Sequence, residues 1–206
     1  MDCKFALVVL CLFVVSYVDA APSKSKPKRS LWDLLSGSDE NFFLVNTTSS
    51  KDGDNIECTY MKRKYKDDSR HELLIEMAHR KKGETSFRDL SNYTVAATKG
   101  SESKDFSEMT FKRRSGSTDG FKYGLVYSDD NGCNILEMKP ETETKVTKKS
   151  EKKECELWAP PGKVTHALGG MCTQKFKRLC KPAVVESPYN ETCEIPETAV
   201  HVPSNC

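Results

Sequence analysis

Seven cysteines follow the N-terminal apolar segment of this chain, and they constrain its fold more than any other feature. The sequence has nine cysteines in all, but two of them fall within residues 1–20, which have the features of a secretion signal. Exported proteins fold in oxidising surroundings, where cysteines form disulfide bonds. Six of the seven could form three bridges, which would leave one over. The seven are Cys58, Cys133, Cys155, Cys172, Cys180, Cys193 and Cys206.

Residues 1–20 have the composition of a signal peptide. Lys4 supplies a positive start, and residues 5–15 form an unbroken apolar run of 11 residues. Val18 and Ala20 fit a cleavage site after Ala20. A membrane span needs about 20 apolar residues, so this run is too short to cross a bilayer. We therefore expect the mature protein to be secreted into the extracellular space.

The chain beyond the signal divides into a short basic tail and one domain. Residues 21–30 (APSKSKPKRS) are polar and contain prolines, which predicts a disordered, solvated tail. Residues 31–206 form the domain, which begins with one helical turn around Trp32. Without residues 1–20 the net charge is 31 − 28 = +3. This near balance gives no reason to expect binding to nucleic acid or to an anionic membrane, and we expect a monomer.

Strand patterns dominate the first part of the domain. In one segment Ile56, Cys58 and Tyr60 alternate with polar residues, as in a strand with one buried face. Asn131-Gly132 favours a tight hairpin. The eight candidate strands are residues 42–47, 56–61, 71–79, 87–97, 106–111, 121–128, 134–138 and 155–159. They predict an all-β fold, an eight-stranded antiparallel closed barrel whose interior is just wide enough for a small ligand.

The remainder of the domain has one helical pattern and two polar or irregular segments. Apolar residues recur at helical spacing over residues 164–181, and Pro182 marks the end of this predicted C-terminal helix. The pair Gly169-Gly170 weakens the pattern. Residues 140–154 are highly charged and predict a long solvated loop, whereas the chain after residue 183 is expected to be an irregular tail.

Three glycosylation sequons agree with export. They begin at Asn46, Asn92 and Asn190, and each predicts a glycan on an exposed loop or strand end.

Enzymatic signatures are lacking: the four histidines are scattered, and no nucleophile elbow or phosphate-binding glycine loop occurs. The sequence has no Cys-x-x-Cys pair of the kind that binds zinc. We expect a protein that is not an enzyme and that uses no metal or cofactor.

The order of these features resembles the lipocalins secreted in tick saliva, and among them the histamine-binding protein family. The resemblance spans the chain from about Trp32 to Cys193. It rests on residues 125–129 (LVYSD), Cys133, residues 155–158 (CELW), Cys172, Phe176, Cys180 and residues 189–193. The resemblance implies a tail tethered by disulfides, with the pairs Cys58–Cys193, Cys133–Cys172 and Cys155–Cys180. Cys206 lies outside this scheme.

The resemblance also implies an amine-binding motif. In the family, Cys-Asp and an aliphatic residue are followed by Glu-Leu-Trp or Glu-Leu-Tyr and by a later cysteine. Glu156 and Trp158 match this motif, and Asn134 stands at the position of the Asp. Glu156 would supply the counter-charge for an ammonium group and Trp158 a cation–π surface. Because Asn134 keeps an acceptor but lacks the charge, we expect Asn134→Asp to strengthen amine binding.

The function that the resemblance implies is sequestration of a small host mediator. The leading candidate is a biogenic amine, histamine or serotonin, whose removal would suppress host inflammatory or haemostatic responses. One alternative is a lipid mediator such as a leukotriene, a fatty acid or a sterol. Another is a filled barrel whose outer surface binds a host protein.

The residues alone leave several positions open. Glu156 could lie on an outward strand face, and Trp158 could serve barrel packing alone. Four aromatic side chains could belong either to the core or to a pocket. They are Tyr60, Phe121, Tyr123 and Tyr127.

Overall fold

Eight strands pair in chain order, and the last pairs with the first, so the expected all-β antiparallel barrel is confirmed. The strands are β1 Asn41–Thr47, β2 Ile56–Asp67, β3 Glu72–Lys81, β4 Phe87–Thr98, β5 Glu108–Arg113, β6 Gly120–Ser128, β7 Asn134–Lys139 and β8 Glu154–Ala159. The computed structural model describes residues 29–49, 55–100, 105–114, 120–139 and 153–197. The expected signal peptide, the charged loop as far as residue 152, and Cys206 lie outside these ranges.

Alternate residues of the strands build two separate hydrophobic clusters. Phe42 and Leu44 of β1 belong to the cluster on the inner side of the barrel wall, whereas Phe43 and Val45 belong to the cluster between the barrel wall and the helices. This division follows from the two-residue period of a strand. Because both faces of β1 are covered, its sequence is a continuous apolar run rather than an alternation.

A short helix, α1 Leu31–Ser36, closes one end of the barrel. Ser30 and Asp33 form a capping box at its start. At its C-terminal end, Arg63 of β2 donates a hydrogen bond of 2.6 Å to the carbonyl oxygen of Leu35. Arg29 donates hydrogen bonds to Ser128 and to the carbonyl oxygen of Asp129. Arg29, which the sequence analysis placed in the basic tail, therefore contacts the domain through its side chain.

The predicted C-terminal helix is interrupted. It consists of a 3-10 turn, Pro161–Lys163, followed by α2 Val164–Leu168 and α3 Gly170–Cys180. Gly169 separates the two α-helices in an extended conformation, with φ −62° and ψ 154°. One continuous helix was the expectation, and the glycine pair explains the difference, because glycine in a helix interior costs about 1 kcal/mol relative to alanine.

Three disulfides attach the helix and the C-terminal tail to the barrel. They are Cys58–Cys193, Cys133–Cys172 and Cys155–Cys180, the pairs that the family resemblance implied. The first connects β2 to the tail, and the other two connect the β6–β7 turn and β8 to α3. Among the described residues, no helix is long and apolar enough to cross a bilayer.

Candidate functional site

Strand β8 turns Glu156 and Trp158 into the barrel. The two residues are two positions apart in one strand and therefore share a face. Trp158 belongs to the interior cluster, whereas Leu157 between them belongs to the outer cluster. The relative exposure is 9% for Glu156 and 1% for Trp158. The carboxylate therefore lies on the inner face of the wall and is not a surface group.

Two neutral donors hold one oxygen of this carboxylate. The indole Nε1 of Trp158 donates to Glu156 Oε2 at 2.9 Å, and the phenol of Tyr123 donates to the same oxygen. Tyr123 comes from β6, and its side chain is also buried. Burial, together with the charge of Glu156, raises the pKa of Tyr123 well above its usual value. The phenol thus keeps its proton and remains a donor to Glu156.

Aromatic rings form the wall beside this site. Phe121 stacks on Phe111 at a centroid distance of 4.9 Å, and Tyr123 meets both rings edge-on at 5.4 and 5.3 Å. The sequence alone could not assign four aromatic residues to the core or to a pocket. Two of them, Phe121 and Tyr123, lie on the inner side of the barrel. Tyr60 and Tyr127 contact the outer cluster between the barrel and the helices.

Arg113 is an interior residue that sequence analysis missed. It pairs in register with Tyr93, whose ring contacts Phe111 and Phe121. Its Nε donates to the hydroxyl of Ser91 at 2.9 Å, and Ser91 is buried. The predicted strand ended at Phe111, but extending its alternation by two residues would have placed Arg113 on the inner face.

Asn134 is buried and makes its hydrogen bonds within the protein. Its Oδ1 accepts from the hydroxyl of Ser128 at 2.8 Å. Its Nδ2 donates to the carbonyl oxygens of Trp158 at 3.0 Å and Gly132 at 3.3 Å. The side chain thus ties the β6–β7 turn to β8.

These bonds predict a loss of stability for Asn134→Asp, the substitution that the sequence analysis expects to strengthen amine binding. A carboxylate at this position would face two carbonyl oxygens and have no N–H to offer them. We expect the substitution to lower the free energy of unfolding by about 2–4 kcal/mol, since an unsatisfied buried charge is costly. Urea unfolding measures the loss, with Asn131→Asp in the exposed turn as the matched control. Equal stability of the two variants would contradict the structural role.

The three sequons differ in how their asparagines are placed. Asn46 lies within β1 with a relative exposure of only 5%, so the expectation of an exposed position is wrong there. The Nδ2 of Asn190 donates to Glu57 at 2.8 Å. Asn92 in β4 is exposed. We propose Asn92 as the position best suited to carry a glycan.

Tyr60 forms a second buried phenol–carboxylate pair, on the outer wall. Its hydroxyl donates to Glu76 Oε1 at 2.8 Å. Burial is the larger cause and this hydrogen bond the smaller one of a pKa of Tyr60 above its usual value.

Within the described residues, no group of three or more His, Cys, Asp or Glu side chains could hold a metal ion.

The two buried phenols predict a loss of stability in alkali. Their pKa values are higher in the folded than in the unfolded chain, so their contribution is complete below pH 10 and falls as pH rises toward the folded values. Urea unfolding between about pH 9 and 11 should show this decline, and Tyr60→Phe with Tyr123→Phe should reduce it. The same decline in the double variant would assign it to other groups.

The sequence profile of the tick histamine binding protein family matches residues 19–195. The chain belongs to this family. No protein with curated annotation matches it. Among solved structures, a serotonin complex of AM182 is similar with a TM-score of 0.53 and 13% identity, over 79% of this chain and 91% of AM182. Japanin from Rhipicephalus appendiculatus, bound to cholesterol, is similar with a TM-score of 0.51 and 14% identity, over 75% of this chain and 95% of Japanin. At these identities the similarity shows a shared fold.

In this member of the histamine binding protein family, two of the three predicted ligand-binding residues form one constellation. Glu156 and Trp158 meet inside the barrel, where Tyr123 joins them. Asn134 contacts the backbone of Trp158 but uses its side chain to fix the neighbouring turn.

Proposed function

We propose that this protein is a secreted lipocalin that sequesters a biogenic amine, histamine or serotonin, inside its barrel. The observation that supports this is the carboxylate of Glu156, which is buried, faces the interior and lies beside an indole. The protein acts by stoichiometric binding and not by catalysis. Secretion would follow cleavage after Ala20.

The chemistry of this constellation suits a protonated amine. An ammonium group that leaves water needs anionic oxygens in place of its hydration shell, and charge-assisted hydrogen bonds to a carboxylate are strong. Trp158 adds a cation–π surface worth about 0.5–2 kcal/mol. Tyr123 and Trp158 hold the carboxylate before the ligand arrives, which lowers the ordering cost of binding.

The relatives are consistent with this ligand class. The family is described by histamine binding, and the AM182 structure is a serotonin complex. Both ligands are amines with an aromatic ring. The phenol of Tyr123 bonds the carboxylate and the ring of Phe121 packs against Tyr123, so the two rings offer such a ligand an aromatic wall.

A lipid mediator with a carboxylate is the second candidate, and Arg113 favours it. The guanidinium lies on the inner face of the barrel and donates to the hydroxyl of Ser91, and Arg113 pairs in register with Tyr93, whose ring contacts Phe121. Arginine binds carboxylates with two parallel hydrogen bonds. The Japanin structure, which contains cholesterol, has a related barrel.

Calorimetric titration against amines and fatty-acid mediators separates the two candidates. For an amine binder we expect one site for histamine or serotonin, and Arg113→Gln should leave that affinity nearly unchanged. For a lipid binder, Arg113→Gln should lower the affinity for a carboxylate ligand by about 10–100-fold. Absence of amine binding by the wild-type protein would contradict the leading proposal.

A further inference from the structure

The segment that contains both C-terminal helices has no acidic residue. Between Leu157 and Glu186 the sequence has 28 residues without Asp or Glu, although 30% of the whole chain is charged. The basic residues in this segment are Lys163, Lys175, Lys177, Arg178 and Lys181. A nearly neutral protein therefore concentrates positive charge on one element.

Helix α3 displays most of this charge on its outer face. Cys172, Phe176 and Cys180 are buried against the barrel. Lys177, Arg178 and Lys181 are exposed on the other side. In the part of the chain that the structure describes, none of these three forms an ion pair with a carboxylate. The three cations are therefore available to a partner.

Basic side chains of this segment line two grooves. One groove, of about 330 Å³, lies between α3 and the β6–β7 turn, and Lys175, Arg178 and His166 line it. The other, of about 380 Å³, is lined by Lys177 and Lys181. Arg178 thus lines one concave surface, and Lys177 and Lys181 line another.

The acidic side chain in the first groove is already engaged. Asp129 Oδ1 accepts from the backbone N–H groups of Asn131 and Cys133, both at 3.0 Å. Its Oδ2 lies 3.9 Å from Nε2 of His166. Asp129 therefore stabilises its own turn, and it does not neutralise the row on α3.

The helix dipole accounts for only part of this arrangement. Cations in the last turn of a helix are stabilised by the helix C-terminus. That effect explains Lys177 and Arg178 individually. It does not explain the absence of acid from the preceding residues, or Lys181, which has a left-handed φ of 48° where glycine is usual.

We infer that this face of α3 binds a sulfated polysaccharide of the glycosaminoglycan type. Such a chain carries fixed negative charges along its length, and a row of Lys and Arg on a rigid element offers several weak contacts at once. A membrane surface suits α3 less well. Its apolar face packs on the barrel, and the disulfides at Cys172 and Cys180 fix it there. The polysaccharide would hold the protein at a cell surface while the barrel remains free to bind its own ligand.

The test compares two triple variants of the full mature protein on immobilised heparin. The first removes the row by Lys177→Gln, Arg178→Gln and Lys181→Gln. The second removes the same charge from exposed positions of the barrel, by Lys81→Gln, Lys82→Gln and Lys112→Gln. We expect the first triple to lower heparin affinity about tenfold at about 0.15 M salt and to elute earlier in a salt gradient. The second should change affinity less than about twofold.

Three results would overturn the inference. Equal losses in both triples would show a dependence on net charge alone, and no loss in the first would place heparin binding elsewhere. Wild-type protein that binds anionic phospholipid vesicles but not heparin would indicate a membrane partner. Titration of the variants with histamine and serotonin gives a separate readout of the barrel, so failure of this inference and failure of the proposed amine site remain distinguishable.

Discussion

Glu156→Gln should abolish the binding of histamine and serotonin while the protein still folds. The glutamine amide has the shape of the carboxylate, and its oxygen can still accept from Trp158 and Tyr123, so the wall of the barrel is preserved. The negative charge is lost. A buried ammonium left without its counter-charge costs about 3–5 kcal/mol, which corresponds to an affinity loss of at least about 100-fold.

A matched control for this variant lies on the neighbouring strand. Glu137 of β7 pairs with Cys155 in register and therefore faces outward, where its carboxylate is 3.1 Å from Lys153. Glu137→Gln removes the same charge from the outer wall and should leave amine affinity unchanged. Calorimetry on both variants, with circular dichroism to verify folding, completes the test. Equal amine affinity in Glu156→Gln and wild type would reject Glu156 as the counter-charge.

Removal of the Cys58–Cys193 bridge should lower the free energy of unfolding more than removal of either of the other two disulfides. The bridge joins residues 135 positions apart, so it restricts the unfolded chain strongly. In the chain-entropy description a loop of that length is worth about 4–5 kcal/mol, and a loop of 25 residues, as closed by Cys155–Cys180, about 3.5 kcal/mol. We expect the double variant Cys58→Ala, Cys193→Ala to lose about 4–5 kcal/mol in urea unfolding.

The contacts of the tail explain why this bridge matters to the barrel. The backbone N–H of Cys58 donates to the carbonyl oxygen of Pro188 at 2.7 Å, and Glu186 exchanges two backbone hydrogen bonds with Thr47 of β1. The bridge therefore holds an irregular segment against two strands. The double variant Cys155→Ala, Cys180→Ala is the comparison. A smaller loss for the 58–193 pair than for the 155–180 pair would show that loop entropy does not govern stability here.

The fold was predictable because two features of the sequence indicate the same barrel: the alternation of apolar residues in the strands, and the positions of the six paired cysteines. Strand β6 shows the clearest case, with Phe121 and Tyr123 separated by Lys122 as the two-residue period requires. The limits of the helix were harder to predict, since helical spacing continues through Gly169 and only the glycine pair indicates a break. The buried state of Asn46 was missed because a sequon carries no information about which face of β1 is covered.

The candidate site was predictable only in part. Glu156 and Trp158 were found through the family motif, since residue pattern alone allowed an outward carboxylate. Tyr123 lies 33 residues earlier in the chain, so no local pattern links it to Glu156. Arg113 lies two residues beyond the predicted end of its strand at residue 111, so the sequence analysis assigned it to no element. Asn134 occupies the motif position, but its hydrogen bonds depend on how the β6–β7 turn meets β8.

A crystal structure of the protein soaked with serotonin tests the central claim most directly. We expect electron density for the amine inside the barrel, with its ammonium nitrogen about 2.7–3.2 Å from a carboxylate oxygen of Glu156 and close to the Trp158 ring. An amine bound only outside the barrel, or an interior ligand whose ammonium group avoids Glu156, would contradict it.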